Sequence, residues 1–156
     1  MRVKAGMMQK DNIAIRHLSF SDVKRVAENE AECFSMPWSQ DAFTEELSLD
    51  SAICFVALCD GEIAGFINGR IVLDEFYINN VAVTKKFRNA GVGTRLVDDL
   101  SDYLKNIVSF ITLEVRESNV AAQKLYRKCG YTVVGKRKDF YQKPVENAIL
   151  MTKYFK

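Results

Sequence analysis

The chain has 156 residues, of which 48% are hydrophobic and 27% charged, and its formal net charge is +2. This length and balance are those of one folded globular domain, and they exclude a largely disordered chain. The small net charge argues against direct nucleic-acid binding, which normally requires a strongly basic face.

The first twelve residues carry Arg2, Lys4 and Lys10 but no apolar run. We therefore predict a flexible extension at 1–12 and a single domain at 13–156. No segment approaches the roughly 20 apolar residues of a membrane span, so we expect no membrane contact.

The hydrophobic pattern then predicts alternating strands and helices. Residues 13–18 alternate in the two-residue period of a half-buried strand. A capping stretch at 19–22 begins a first helix, and Ser39 caps a second, shorter one. Short apolar runs separated by turns predict three strands, at 53–59, 63–73 and 76–83.

The second half of the chain predicts two crossover units. A basic, turn-rich loop precedes a helix whose apolar stripe is Val92, Leu96, Val97, Leu100, Leu104 and Ile107. The remaining elements are a strand at 110–115, a helix from about 119 to 128 that Gly130 ends, and strands at 131–135 and 148–154. This order predicts an α/β (α+β) sandwich around one mixed sheet, with helices on both of its faces.

The cysteine and histidine content argues against disulfides and metal sites. Cys33, Cys54, Cys59 and Cys129 form no C-x-x-C pair, and His17 is the only histidine. Free thiols among apolar neighbours are typical of a reducing compartment, so we expect a cytoplasmic protein without a metal.

A glycine-containing loop at 88–93 lies between a predicted strand and a predicted helix. Glycines and a helix N-terminus favour phosphate or pyrophosphate, although a tight turn requires the same glycines. A P-loop is excluded because Thr94 and Arg95 follow Gly93, and a dinucleotide fingerprint is disfavoured because Leu96 occupies its third glycine position.

Four ordered motifs resemble the GNAT acetyltransferases. They are Asn80-Val81-Ala82-Val83, Arg88-x-x-Gly91-x-Gly93, Leu113-Glu114-Val115-Arg116-x-Ser118-Asn119 and Leu125-Tyr126-x-x-x-Gly130-Tyr131. Two further stretches are similar to the ribosomal-protein alanine N-acetyltransferase (RimI-like) branch: Phe34-x-Met36-Pro37-Trp38-Ser39 and Val72-Leu73-Asp74-Glu75. The resemblance covers nearly all of the chain from Ile13 onward. It implies a three-layer sandwich whose single mixed sheet has about seven, mostly antiparallel strands.

The resemblance also implies an acetyl-CoA site where the fourth and fifth strands separate. Backbone groups of Val81, Ala82 and Val83 would meet the pantetheine arm, and the N–H near Val81 would polarise the thioester carbonyl. The residues implied for the pyrophosphate side are Arg88, Asn89, Ala90, Gly91, Val92, Gly93 and Thr94. Asn119 would both cap its helix and contact CoA.

Two side chains are implied for proton transfer. Glu114 would accept the proton of the attacking amine, which requires a pKa raised by burial. Tyr126 would protonate the departing thiolate. The alternatives are that Glu114 is a surface residue paired with Arg116, and that Tyr126 only packs its helix on the sheet.

The acceptor side is predicted from resemblance alone. Its residues would be Phe34, Pro37, Trp38, Glu75 and Tyr141, with Phe140 in place of a second tyrosine and Trp38 equally suited to anchor the core. A loop at 138–141 would flank the channel.

The resemblance implies transfer of an acetyl group to the N-terminal α-amine of a protein, by direct attack in a ternary complex. The implied acceptor is a ribosomal protein with N-terminal alanine, and the enzyme would be a monomer or weak dimer. The alternatives are acetylation of a small-molecule amine and a non-catalytic acyl-CoA-binding module. Retention of Glu114 and Tyr126 argues against the module.

Overall fold

The computed structural model describes residues 12–155, which fold around one seven-stranded sheet. The strands are β1 (Ile13–His17), β2 (Ala52–Cys59), β3 (Glu62–Val72), β4 (Glu75–Val83), β5 (Phe110–Arg116), β6 (Thr132–Tyr141) and β7 (Glu146–Tyr154). The helices are α1 (Val23–Cys33), α2 (Gln40–Leu47), α3 (Val92–Leu104) and α4 (Val120–Lys128). Of the predicted extension, all but Asn12 lies outside the described residues.

The spatial order of the strands is β1-β2-β3-β4-β5-β7-β6. Every neighbouring pair is antiparallel except β4 and β5, which are parallel. The prediction of a mixed, mostly antiparallel sheet is therefore confirmed. The parallel pair is where the chain crosses over through α3, because parallel strands need a long connection.

Two hydrophobic clusters place helices on both faces of the sheet. Alternate residues of β2 face opposite sides, so Cys54 and Val56 join the cluster under α1 and α2. Phe55 and Ala57 join the larger cluster under α3 and α4. The sheet is thus the middle layer of a three-layer sandwich, as predicted.

The structure confirms three predicted helix boundaries, two N-caps with polar side chains and one C-terminal glycine. The Ser39 side chain accepts a hydrogen bond from the Ala42 N–H, and the Asn119 side chain accepts one from the Ala122 N–H (each 3.1 Å). Gly130, with a φ of 96°, follows the end of α4, as a helix-ending glycine does.

Two local predictions are wrong. Helix α3 ends at Leu104, and Ile107 lies beyond it with 52% of its surface exposed. Val108 is the buried residue there, because the turn after the helix reverses the direction of the chain. Residues 138–141, predicted as a loop, belong to β6, whose pairing with β7 shifts register between Arg137 and Tyr141.

Within residues 12–155, no helix is long and apolar enough to cross a membrane. The same part of the chain contains no group of three His, Cys, Asp or Glu side chains arranged to hold a metal ion.

Candidate active site

The central feature of the sheet is an opening between β4 and β5. The two strands pair over only three register positions, from Glu75 opposite Phe110 to Tyr77 opposite Thr112. Beyond that point β5 stays paired with β7, and β4 stays paired with β3. The two strands therefore separate, and each has an unpaired edge facing the other.

A β-bulge accompanies the separation. The β3–β4 register passes from Asn68 opposite Asn80 to Gly69 opposite Ile78, which leaves Asn79 as the extra residue on β4. A side chain at Gly69 would collide with the Tyr77 carbonyl oxygen and the Phe76 ring, so only glycine fits there. Bulges bend and twist the strand that carries them, and this one lies where β4 leaves β5.

Two adjoining cavities occupy the opening. The larger cavity has a volume of about 720 Å³ and lies against the end of β4 and the start of α3. The smaller cavity, of about 440 Å³, lies between the end of α1, β5 and the end of β6. Five residues line both: Cys33, Phe34, Val81, Asn119 and Ala122.

The edge of β4 directs backbone groups into the larger cavity. The Thr84 N–H donates to the Ala64 carbonyl of β3 (2.9 Å). Because backbone bonding alternates along an antiparallel strand, Val81 and Val83 direct their N–H and C=O groups to the other side, toward the opening. Ala82 also lines the larger cavity, and its side chain packs into the cluster under α1 and α2.

The glycine loop contributes further N–H groups. Gly91 is the N-cap of α3 with a φ of 85°, which favours glycine, and the Arg95 N–H is the first to bond back, to the Gly91 carbonyl (3.0 Å). In residues 12–155 the N–H groups of 89–94 donate to no backbone carbonyl. Free N–H groups at a helix N-terminus suit the oxygens of a pyrophosphate, so this side fits the donor acetyl-CoA.

The other residues of the loop have distinct positions. Asn89, Val92 and Thr94 line the larger cavity, whereas half-buried Ala90 packs against the core. A side chain at Gly93 would lie 2.8 Å from the Leu125 Cδ1, so this glycine permits α3 to pack on α4.

The Arg88 side chain folds back onto β4. Its Nε donates to the Val83 carbonyl (3.0 Å), and its guanidinium lies 3.4 Å from the Cys33 Sγ. Arg88 therefore uses the Val83 carbonyl at the edge of the cavity as a hydrogen-bond acceptor, and it leaves the N–H and C=O groups of Val81 free.

Glu114 and Tyr126 enter the smaller cavity from opposite faces of the sheet. Leu113 and Val115 belong to the same cluster as Tyr126, under α3 and α4. Glu114 lies between them on the strand and so points to the other face. Both side chains line one cavity because the sheet is open at this point.

The Glu114 carboxylate is partly isolated from solvent. Its side chain is only 7% exposed, and its Oε1 lies 3.4 Å from the Nε of Arg137. Burial raises the pKa of Glu114, while the Arg137 charge opposes that rise. The alternative pairing with Arg116 is not found, because Arg116 binds Glu146 and lies over the Tyr141 ring, 4.5 Å from its centroid.

Tyr126 is 8% exposed and packs against Tyr131, with ring centroids 5.6 Å apart. Burial raises the pKa of Tyr126, and the neighbouring Tyr141 and Cys129 raise it further. The phenol is therefore protonated at neutral pH, and its ring packs in the core while the residue lines the cavity.

The predicted acceptor residues divide into two groups. Phe34, Trp38 and Tyr141 line the smaller cavity, and Trp38 also packs on Phe43 with ring centroids 5.2 Å apart. Exposed Pro37 lines neither cavity. Glu75 lies at the first residue of β4, in the part that still pairs with β5, and also lines neither cavity.

Sequence reasoning missed several lining residues. Glu30, on α1, lines the smaller cavity, and its position in the stripe of Val23, Val26 and Phe34 was the available signal. On α4, Ala121, Leu125 and Lys128 line the larger cavity at helical spacing.

Comparisons with known proteins agree with this geometry. Residues 23–131 match the family described as the acetyltransferase (GNAT) family. The chain is 31% identical over 140 residues to the ribosomal protein bS18-alanine N-acetyltransferase of Escherichia coli K12, covering 88% of this chain and 94% of that protein. It is 32% identical over 136 residues to the N-alpha-acetyltransferase RimI of Mycobacterium tuberculosis, covering 83% and 85%.

The fold matches solved structures as well. The crystal structure of the ribosomal-protein-S18-alanine N-acetyltransferase from Escherichia coli superposes with a TM-score of 0.85 at 29% identity, covering 92% of this chain and 94% of that one. The chain therefore belongs to the GNAT family, and it is an acetyl-CoA-dependent N-acetyltransferase of the RimI-like type.

Proposed function

We propose that this enzyme transfers the acetyl group of acetyl-CoA to the N-terminal α-amine of a protein, and that its acceptor is a ribosomal protein with N-terminal alanine. One observation carries the proposal: Glu114 and Tyr126 line the same cavity from opposite faces of the sheet, beside a second cavity with free backbone N–H groups. A base and an acid thus flank the place where the two cavities adjoin.

Each residue has a defined task in direct transfer. Acetyl-CoA supplies an acyl carbon activated as a thioester. Glu114 takes a proton from the amine, whose nitrogen then forms the bond to that carbon. The Val81 N–H polarises the carbonyl oxygen. As the carbon–sulfur bond breaks, Tyr126 gives its phenolic proton to the sulfur.

The environments of the two groups match these tasks. Burial raises the pKa of Glu114 toward that of an amine, which makes it a stronger base than an exposed carboxylate. The raised pKa of Tyr126 keeps its proton in place until a thiolate forms next to it. Burial likewise raises the pKa of Cys33, the one thiol that lines both cavities in 12–155, which favours direct attack over an acyl-cysteine route.

The rim of the smaller cavity favours a peptide acceptor. Phe34, Met36 and Phe140 line it with 40%, 57% and 44% of their surfaces exposed. Apolar side chains at the mouth of a cavity suit the first side chains of a polypeptide better than a small polyamine. The names of two relatives, the ribosomal protein bS18-alanine N-acetyltransferase of E. coli and the N-alpha-acetyltransferase of M. tuberculosis, support the same class of acceptor.

The test is acetyl-CoA turnover with matched acceptors. The first acceptor is a peptide with an N-terminal alanine and an internal lysine, which we expect to be acetylated. We expect no acetylation of the same peptide once its α-amine is blocked, and a slower reaction with free polyamines. Mass spectrometry of the product locates the acetyl group. Turnover with small amines alone would contradict the proposal, and CoA binding without any turnover would support the binding-module alternative.

A further inference from the structure

Glu30 is a buried carboxylate at the wall of the smaller cavity. It lies in the last turn of α1, is 1% exposed and shares the buried face of that helix with Val26 and Asn29. Glu30 is not needed as the base or the acid of the proposed reaction, since Glu114 and Tyr126 have those tasks.

A single oxygen of Glu30 makes both of its side-chain hydrogen bonds. The Oε2 accepts one from the Trp38 N–H (3.0 Å) and one from the Asn80 Nδ2 (2.6 Å). The Oε1 is buried and has no hydrogen-bond partner within residues 12–155.

These two bonds connect two segments that line the cavity. Trp38 belongs to the segment 34–39, which joins α1 to α2 and which we call the acceptor loop. Asn80 follows the bulged Asn79 on β4 and directly precedes Val81, whose backbone faces the opening. Glu30 thus links the acceptor loop to the strand that carries the N–H group for the thioester oxygen.

Stability alone does not account for a carboxylate at this position. Burying a charge costs free energy that a cationic partner normally offsets, and Glu30 has no ion pair within the described residues. Burial raises its pKa accordingly. By contrast Glu46, equally buried on α2, is paired with Arg70 at 2.7 Å. Uncompensated polar groups of this kind are expected where function requires them.

We propose that Glu30 is a positioning residue, which holds the acceptor loop at a fixed distance from β4 so that the incoming amine meets the thioester carbon. The inference rests on the proposed function, in that the acceptor enters between this loop and the strand. Glu30 acts through Trp38 and Asn80 and does not itself exchange a proton with either substrate.

The test uses Trp38, the only tryptophan of the chain, as a probe of the acceptor loop. Glu30→Ala removes both hydrogen bonds, whereas Glu30→Gln keeps an oxygen that accepts them. Glu46→Ala is the matched control, since it removes a buried carboxylate that lines neither cavity. Asn80→Ala, at a half-buried side chain, cuts only the link to β4 and serves if Glu30→Ala fails to fold.

We expect Glu30→Ala to increase acrylamide quenching of Trp38 and to lower kcat/KM for the alanine-terminated peptide about tenfold or more, with an unchanged Kd for CoA. Glu30→Gln should lose much less in both. Asn80→Ala should lower kcat/KM for the peptide with unchanged quenching. Glu46→Ala should lower thermal stability but leave kcat/KM and quenching as in the wild type.

Three results would overturn the inference: unchanged quenching in Glu30→Ala, peptide kinetics of wild-type level in both Glu30→Ala and Asn80→Ala, or equal losses in Glu30→Gln and Glu30→Ala. Failure of the proposed function is distinguishable, because the wild-type enzyme would then leave the peptide unmodified. The quenching result would still report whether Glu30 holds the loop, and the kinetics would be repeated with whichever amine is acetylated.

Discussion

The two cavities at the β4–β5 opening differ in whether backbone or side-chain groups form them. The larger one is mainly a backbone site, made by the edge of β4 and the N-terminus of α3, where Gly91 adopts a φ of 85°. The smaller one is a side-chain site, to which α1, the acceptor loop, β5, α4 and the end of β6 each contribute. We therefore expect changes in the smaller cavity to affect mainly the rate, and changes in the larger one to affect mainly CoA affinity.

The largest effects are expected at the two residues that we propose for proton transfer. Glu114→Gln and Tyr126→Phe should each lower kcat by roughly 10²- to 10⁴-fold, because each removes a positioned base or acid. CoA affinity, measured by calorimetry, should change little. Tyr131→Phe is the matched control, since Tyr131 lies beside Tyr126 and lines neither cavity. Wild-type rates in both site variants would show that neither residue transfers the proton.

The backbone site is tested with two glycines. Gly91→Ala and Gly61→Ala both place a side chain at positive φ, at 85° and 81°, with no atom within 4 Å of the new Cβ. Each should cost about 1–2 kcal/mol of unfolding free energy, which denaturant titration measures. Only Gly91→Ala should also weaken CoA binding, because relieving the strain moves the N–H groups of 91–94. Equal CoA affinity in the two variants would argue against a backbone site.

A smaller effect is expected from the ion pair of Glu114. The pKa of Glu114 is raised by burial and lowered by Arg137, so Arg137→Gln should raise it further. The shift should be less than about one pH unit, since Arg137 is largely exposed and such pairs are weak. Because Glu114 must be ionised to act as a base, the rate of Arg137→Gln should fall on the acid side of the pH profile and remain unchanged on the alkaline side.

Carbon-13 NMR of the Glu114 carboxyl measures this pKa directly. Lys136→Gln is the control, because it removes the same charge one residue away, where the partner is Glu117. A downward shift in Arg137→Gln, or an equal shift in both variants, would contradict the assignment of Arg137.

The smallest effect is expected at Cys33. Its thiol lies between the two cavities but stays protonated, so Cys33→Ala should retain most of the activity and the intersecting initial-velocity plots of a sequential mechanism. Parallel plots in the wild type, together with an acetylated Cys33 in a quenched reaction, would indicate a covalent route instead.

The same difference between the cavities explains what the sequence predicted. The backbone site has local signals: Gly91, the strand 76–83 before it and the stripe of α3 after it are contiguous in the chain. Gly130 and Asn119 likewise mark the ends of α4 through local chemistry. Glu114 carries no such local signal: its place on the predicted strand 110–115 is local, but only the resemblance implies its task.

The side-chain site was less predictable because its parts meet only in the folded chain. Glu30 and Asn80 are 50 positions apart yet hydrogen-bonded, and no local pattern indicates that contact. Arg137 reaches Glu114 from β6 across the intervening β7. Glu75 was placed in the site on the strength of a motif, but the parallel pairing of β4 with β5 puts it at the closed end of the opening.

One double variant, Glu114→Gln/Tyr126→Phe, separates donor binding from proton transfer when it is measured by calorimetry with CoA and by single-turnover acetylation of the alanine-terminated peptide. If the backbone of the larger cavity binds the donor and these two side chains of the smaller cavity carry the proton chemistry, CoA will bind with wild-type affinity and acetyl transfer will be nearly abolished. Transfer at the wild-type rate, or loss of CoA binding along with activity, would show that the two cavities do not divide these tasks.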